Sequence, residues 1–191
     1  MIKEIFENTV LAILKTFPGL GSIQVRKALC IADAVHNSLH GKSITGGRYI
    51  KGKLGPIPDD EGYRCLVEMA LSGKIEIYEE PEGPFTKNAY YIIAEPDYSA
   101  FTRSQIDIIN YAARVAYIHS GTDLSSRTHD AVYDNIKMQE EIPLSAICSP
   151  IVTGYDTEPF TEEELSKYLD ENKGREDGLN YIYSVSNPSS N

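Results

Sequence analysis

The run from Lys27 to Pro58, KALCIADAVHNSLHGKSITGGRYIKGKLGPIP, decides how the rest of the chain is read. It begins inside an apolar helix that carries Asp33 and His36, then enters a glycine-rich turn at Gly41, Gly46 and Gly47 and crosses a basic strip. It closes on Gly55-Pro56-Ile57-Pro58, where the prolines enforce extended backbone and forbid a helix start. Val25, Ala28, Leu29, Ala32, Val35 and Leu39 cover more than half the circumference of a helix over residues 22–40. A helix apolar on that much of its surface belongs in the middle of a core.

On the N-terminal side, Ile5, Phe6, Val10, Ile13, Leu14 and Phe17 recur at helical spacing and predict an amphipathic helix over 3–17. Pro18, Gly19 and Gly21 end it, and Ser22 is placed to cap the helix that follows. On the C-terminal side, Asp59 and Asp60 open a third helix through Tyr63, Leu66, Val67 and Ala70 to Gly73. The alternation in 74–78 and 89–94 predicts two strands, joined by a ten-residue tip containing Pro81, Gly83 and Pro84. Thr102 and Gln105 form a capping-box signature for a fourth helix bearing Ile106, Ile109, Ala113 and Ala116, and shorter helices are expected over 123–132 and 135–141. The fold expected is mainly α with one small antiparallel β-hairpin, an α+β class, in a compact helical domain with winged-helix-like element order. That domain covers 1–150; residues 151–191 are an acidic extension with one short helix over 161–172 and a loosely held remainder.

The bulk numbers restrict the class of function. A chain of 191 residues with 41% apolar content can fill one core. Its apolar runs fall short of the roughly eighteen residues a bilayer span needs, and MIKEIFENTV lacks the apolar region of a secretory signal. Cys30, Cys65 and Cys148 show no C-x-x-C pairing, which points to a reducing cytoplasm. Of the net charge of −10, residues 151–191 carry −6 from nine acids and three bases. Such a surface repels nucleic acid and suits a basic protein partner.

Three motifs invite an enzymatic or nucleic-acid reading. Gly47 to Lys53 fits the start of a phosphate-binding loop, but Leu54 stands where the metal-binding hydroxyl belongs and no helix can follow. Asp33, His36 and His40 share a helix face; a metal site would need a further ligand such as His119 or His129, and no H-E-x-x-H or cysteine pair supports one. A hydrogen bond between Asp33 and His36, or from His36 to a backbone carbonyl, accounts for the pair without metal, and no cofactor is expected. Three helices followed by a hairpin suggest a DNA reader. Yet the third helix carries Asp59, Asp60, Glu61 and Glu68 against Arg64, so direct DNA binding is not expected. Lys42, Arg48, Lys51 and Lys53, with Tyr49 among them, instead form a basic strip suited to docking a protein.

The residues Lys27, Leu29, Ala32-Asp33, His36, Gly41, Ile44-Thr45-Gly46, Tyr49 and Gly55-Pro56 resemble the Panacea domain, the SocA-like antitoxin family. A second matching block runs from Thr102 through Leu124-Ser125 to Thr128-His129; the tryptophan frequent after that pair is missing, with Tyr133 near its place. The resemblance implies a non-enzymatic antitoxin of a bacterial or phage toxin–antitoxin system. It would neutralise a toxin encoded by the adjacent gene through direct binding. The alternatives are a proteolytic adaptor handing its partner to a protease system, a regulator of the same family, or a metal-dependent hydrolase using Asp33, His36 and His129. The resemblance gives Asp33, His36, Gly41, Thr45, Gly46, Gly55, Pro56, Thr128 and His129 a scaffold role. Charge alone nominates Glu79, Glu80 and Glu82, or Glu162, Glu163 and Glu164, as carboxylates that enter a basic nucleotide- or RNA-binding groove of the partner.

Overall fold

Helix α2 (Ser22–His40) is the element around which the other parts are arranged, and its sequence explains why. Eleven of its residues are buried, among them Val25, Ala28, Leu29, Ile31, Ala32 and Val35, so it has almost no wet face. In the computed structural model, which describes residues 1–129 and 131–147, α2 packs against α1 (Lys3–Thr16) and most extensively against α4 (Arg103–Ile118). Ala28 and Ala32 on α2 and Ala112, Ala113 and Ala116 on α4 are all completely buried, and such small side chains let two helix backbones approach closely. Phe6, Val10, Ile13 and Leu14 of α1 fill the remaining side of the core, and Phe17 stacks on Tyr117 with ring centroids 4.5 Å apart.

The helix ends are satisfied by specific side chains. Ser22 is not the cap of α2 but its first residue; the cap is Gly21, whose N–H donates to Gln24 Oε1 at 2.8 Å. The same Gln24 donates through Nε2 to the Ala116 carbonyl at 2.7 Å, tying the start of α2 to the end of α4. At its other end, Gly41 takes φ +69°, the left-handed conformation that only glycine adopts at low cost. Asp59 accepts from the Gly62 N–H at 3.1 Å to start α3 (Asp60–Leu71), and the Thr102–Gln105 capping box opens α4 as its sequence predicts.

The strand content exceeds the single hairpin expected from sequence. Strand β1 (Leu20–Gly21) pairs with β5 (Phe85–Ile92), which pairs with β4 (Ile75–Glu82), giving the order β1-β5-β4, all antiparallel. A second sheet has the order β3-β2-β6, from β2 (Tyr49–Gly52), β3 (Gly55–Pro58) and β6 (Glu141–Ile142). The basic strip is therefore a hairpin, with Tyr49 opposite Pro58 and Gly52 opposite Gly55. The helix–helix–helix–hairpin order survives along the chain, but this extra hairpin stands between α2 and α3.

The β4–β5 tip is also shorter than expected: strand pairing continues to Glu82 and Phe85, leaving only Gly83-Pro84 as the turn. Prolines at 81 and 84 signalled a loop, yet edge strands and tight turns accept proline equally well. Beyond α4, α5 (Gly121–Arg127) and α6 (Ala131–Asn135) replace the helix expected over 123–132, and the helix expected over 135–141 is a turn leading into β6. The expected helix over 161–172 lies outside the described residues.

Gly62, in the first turn of α3, approaches the chain ahead of it so closely that a Cβ there would stand 2.8 Å from Pro58 Cβ and 3.4 Å from Phe6. Glycine-to-alanine changes inside helices normally stabilise by about 1 kcal/mol. Gly62→Ala should instead lower the urea midpoint, and a midpoint equal to or above the parent's would refute this close approach.

Candidate functional site

The turn after α2 is organised by one carboxylate. Asp33, completely buried, accepts from the N–H groups of Ile44 and Thr45 on Oδ1, at 2.8 and 2.9 Å. On Oδ2 it takes the hydroxyls of Thr45 and Tyr49, at 2.5 and 2.9 Å. Thr45 Oγ1 in turn accepts the Gly47 N–H at 2.9 Å and Ser43 Oγ the Gly46 N–H, so the turn is held by Asp33 and by two hydroxyls beside it. Burial pushes the Asp33 carboxyl above its ordinary value, against the pull of these donors. His36, one helical turn on, does not bond Asp33; its Nδ1–H donates to the Lys42 carbonyl at 2.6 Å, the backbone partner foreseen as the alternative.

A second knot joins the β2–β3 hairpin to the C-terminal part of the described chain. Lys27 Nζ, buried within α2, donates to Thr128 Oγ1 at 2.9 Å and to the Pro56 carbonyl at 3.3 Å. Gly55 has φ +98°, and a Cβ on it would lie 2.0 Å from that ammonium nitrogen. The Gly55 N–H donates to the Tyr133 hydroxyl at 3.1 Å, and that hydroxyl donates to the Gly52 carbonyl. Lys51 Nζ lies 4.4 Å above the Tyr133 ring and bonds the Tyr133 carbonyl at 2.6 Å, while His129 stacks on the same ring at 4.2 Å.

These positions sort the expected site residues. Asp33, Thr45, Gly46, Gly55, Pro56 and Thr128 lie in the two knots or the turn they hold, and Gly41 and His36 lie just before that turn. Tyr49, expected on the docking strip, is only 1% exposed and points inward to Asp33. Its alternation partner in β2 sets this: with Arg48 and Ile50 turned outward, Tyr49 must turn in. Arg48 pairs with Asp59 at 3.1 Å and Lys51 is engaged on Tyr133; Lys42 and Lys53 are exposed. Glu79 and Glu82 are exposed and Glu80 half-buried beneath the Tyr91 hydroxyl, which donates to it. Glu162, Glu163 and Glu164 lie outside the described residues.

The trio nominated for metal hydrolysis is not assembled: Asp33's oxygens are taken by four donors, and His36 Nδ1 by a carbonyl. Among the described residues, no group of three or more His, Cys, Asp or Glu is placed to hold a metal ion, and no helix is long and apolar enough to cross a membrane. Lys27 and Tyr133 were missed as structural centres. A lysine inside a helix of apolar residues, followed directly by Ala28 and Leu29, was the available signal that its ammonium must be bonded inside.

Removing Asp33 strands four donors. Asp33→Ala should cost at least about 3 kcal/mol and Tyr49→Phe about 1 kcal/mol, read from urea unfolding; parent-like stability of the alanine variant would refute the central role. Burial holds His36 and His129 below the ordinary histidine value, so the unfolded chain takes up their protons first as the solution is acidified. Their contribution is complete above about pH 6.5 and is lost as pH falls through the depressed values. Thermal midpoints measured from pH 7 to 5 should fall, and a chain carrying His36→Asn and His129→Asn should show a flatter profile.

A family model described as "Antitoxin SocA-like, Panacea domain" matches residues 25–132, from the interior of α2 to the start of α6. Both knots fall almost wholly inside this span; only Tyr133 lies one residue beyond it. No curated protein and no solved structure matches the chain. The match covers more than half of the sequence, and the chain belongs to the SocA-like, Panacea-domain antitoxin family.

Proposed function

We propose that this protein neutralises a cognate toxin, encoded beside it, by direct binding, and that the outer half of the β4–β5 hairpin makes the contact. Membership of an antitoxin family supports the first part. The observation that carries the second is the exposure of that hairpin: apart from Glu80 and Lys87, every residue from Glu76 to Asn88 is open to solvent, and the stretch contains four glutamates. Toxins that act on nucleotides or RNA need a basic groove, and carboxylates placed in it exclude phosphate. Long-range attraction between the two surfaces would also speed their encounter.

The two buried knots fit a scaffold role. Their polar groups are spent on one another, and they fix the β2–β3 hairpin and the turn after α2. Lys42 and Lys53 remain available as a secondary contact for acidic patches on the partner. Nothing among the described residues favours hand-off to a protease over direct neutralisation.

Expressing the neighbouring reading frame alone and together with this chain tests the class. Toxicity relieved only by co-expression is the expected result, and an unrelieved or absent toxicity would end the reading. Replacing Glu79, Glu80 and Glu82 together by lysine should weaken toxin binding on the order of a hundredfold and remove most of its salt dependence. Unchanged affinity would exclude the hairpin as the contact.

A further inference from the structure

The hairpin's main chain offers more than its charges. Lys74 and Ile93 face each other one step before the Ile75–Ile92 pair, and the Ile93 N–H donates to the Lys74 carbonyl at 2.9 Å. Bonded and non-bonded pairs alternate along an antiparallel ladder, so Glu76, Tyr78, Glu80 and Glu82 bond inward to β5. The two-residue turn at Gly83-Pro84 demands the same parity, because the residues flanking such a turn bond each other. Ile75, Ile77, Glu79 and Pro81 therefore direct their main-chain groups to the opposite edge. Pro81, which has no N–H, falls in this outward set, where its missing donor removes no ladder bond. Among the described residues β4 pairs with β5 alone, so the Ile77 and Glu79 amides and the carbonyls of Ile77, Glu79 and Pro81 line an open sheet edge.

Open edges invite pairing with a second copy of the same strand, and proteins guard against this with charge. Strand β4 carries Glu76, Glu79, Glu80 and Glu82 and no base. Most registers of two such strands set glutamate against glutamate, which is unfavourable, whereas opposite charges across a ladder are favourable. The strand's two faces also differ. Glu76, Tyr78, Glu80 and Glu82 share one, and Ile75, Ile77, Glu79 and Pro81 share the other, with Ile77 42% exposed.

We propose that β4 is a strand-acceptor edge, to which the bound protein adds an extended segment. That segment presents lysine or arginine on the glutamate-rich face and an aliphatic side chain beside Ile77. Main-chain pairing to the amides of Ile77 and Glu79 supplies register, and the charges select the partner. The inference rests on the reading of this hairpin as the partner-binding element and names how that element binds.

The test uses the full chain and a blocked, fluorescein-labelled octapeptide of alternating valine and lysine, followed by fluorescence anisotropy and by amide hydrogen exchange. Saturable binding that weakens with salt is expected, with new protection at the Ile77 and Glu79 amides. A peptide methylated on its amide nitrogens should not bind, and Ile77→Pro should lower affinity at least about tenfold. The methylated peptide and the exchange measurement report on the native chain, so they decide the matter even where the proline variant misfolds. No saturable binding up to about 1 mM, equal binding of the methylated peptide, or protection elsewhere would overturn the proposal. So would self-association through these amides, which would make a second copy the occupant. Peptide pairing does not depend on which toxin is bound. Its failure removes the acceptor edge and leaves neutralisation standing, and failure of co-expression to relieve toxicity does the reverse.

Discussion

The buried carboxylate of Asp33 is the constraint that the middle of this molecule obeys. A helix that is apolar nearly all round can sit at the centre of a core only if its few polar groups are bonded there. Asp33 meets that condition by taking two backbone amides and two hydroxyls from the chain that leaves the helix. Because Tyr49 is one of the donors, the bond set also fixes which face of β2 turns inward, and a one-residue slip would turn Tyr49 outward. The glycine-rich turn, the β2–β3 hairpin and the entry into α3 therefore have their positions set from one side chain.

Lys27 plays the matching part on the same helix. Its ammonium ties the Gly55-Pro56 segment to Thr128, so residues more than a hundred positions apart in sequence meet at one buried cation. Gly55 is required there by space as well as by its φ of +98°: the lysine nitrogen occupies the volume where a Cβ would be. These contacts give Lys27, Asp33, Gly55 and Thr128 a shared structural task, holding the turn after α2 and the β2–β3 hairpin in place.

Local signals in the chain foretold the helices well. Periodicity placed α1, α2 and α3 to within a residue or two, and the Asp59 cap and the Thr102–Gln105 box that opens α4 lie where expected. What could not be read was set by partners distant in sequence. Leu20-Gly21 is too short to show alternation and is a strand only because Tyr90 and Ala89 lie beside it. Glu141-Ile142 is likewise made a strand by Tyr49 and Ile50. Tyr49 looked like a surface aromatic among bases, and only the Asp33 contact shows it as a core residue. On the hairpin, the glutamates were legible as charge, but the edge they guard became visible only with the strand order.

The burial of α2 over most of its length has a consequence for how the chain is made. Its chief cover is α4, which ends at Ile118, and β1 finds its partner strand only when Tyr90 is present. Until those later residues have left the ribosome, the first forty have only the α1–α2 contact on which to bury their apolar side chains. Folding must then be a late, concerted event with a large share of distant contacts, which slows it. A nascent chain halted in the hairpin would remain a client of chaperones and proteases, and the native structure would form only once synthesis has passed the fourth long helix.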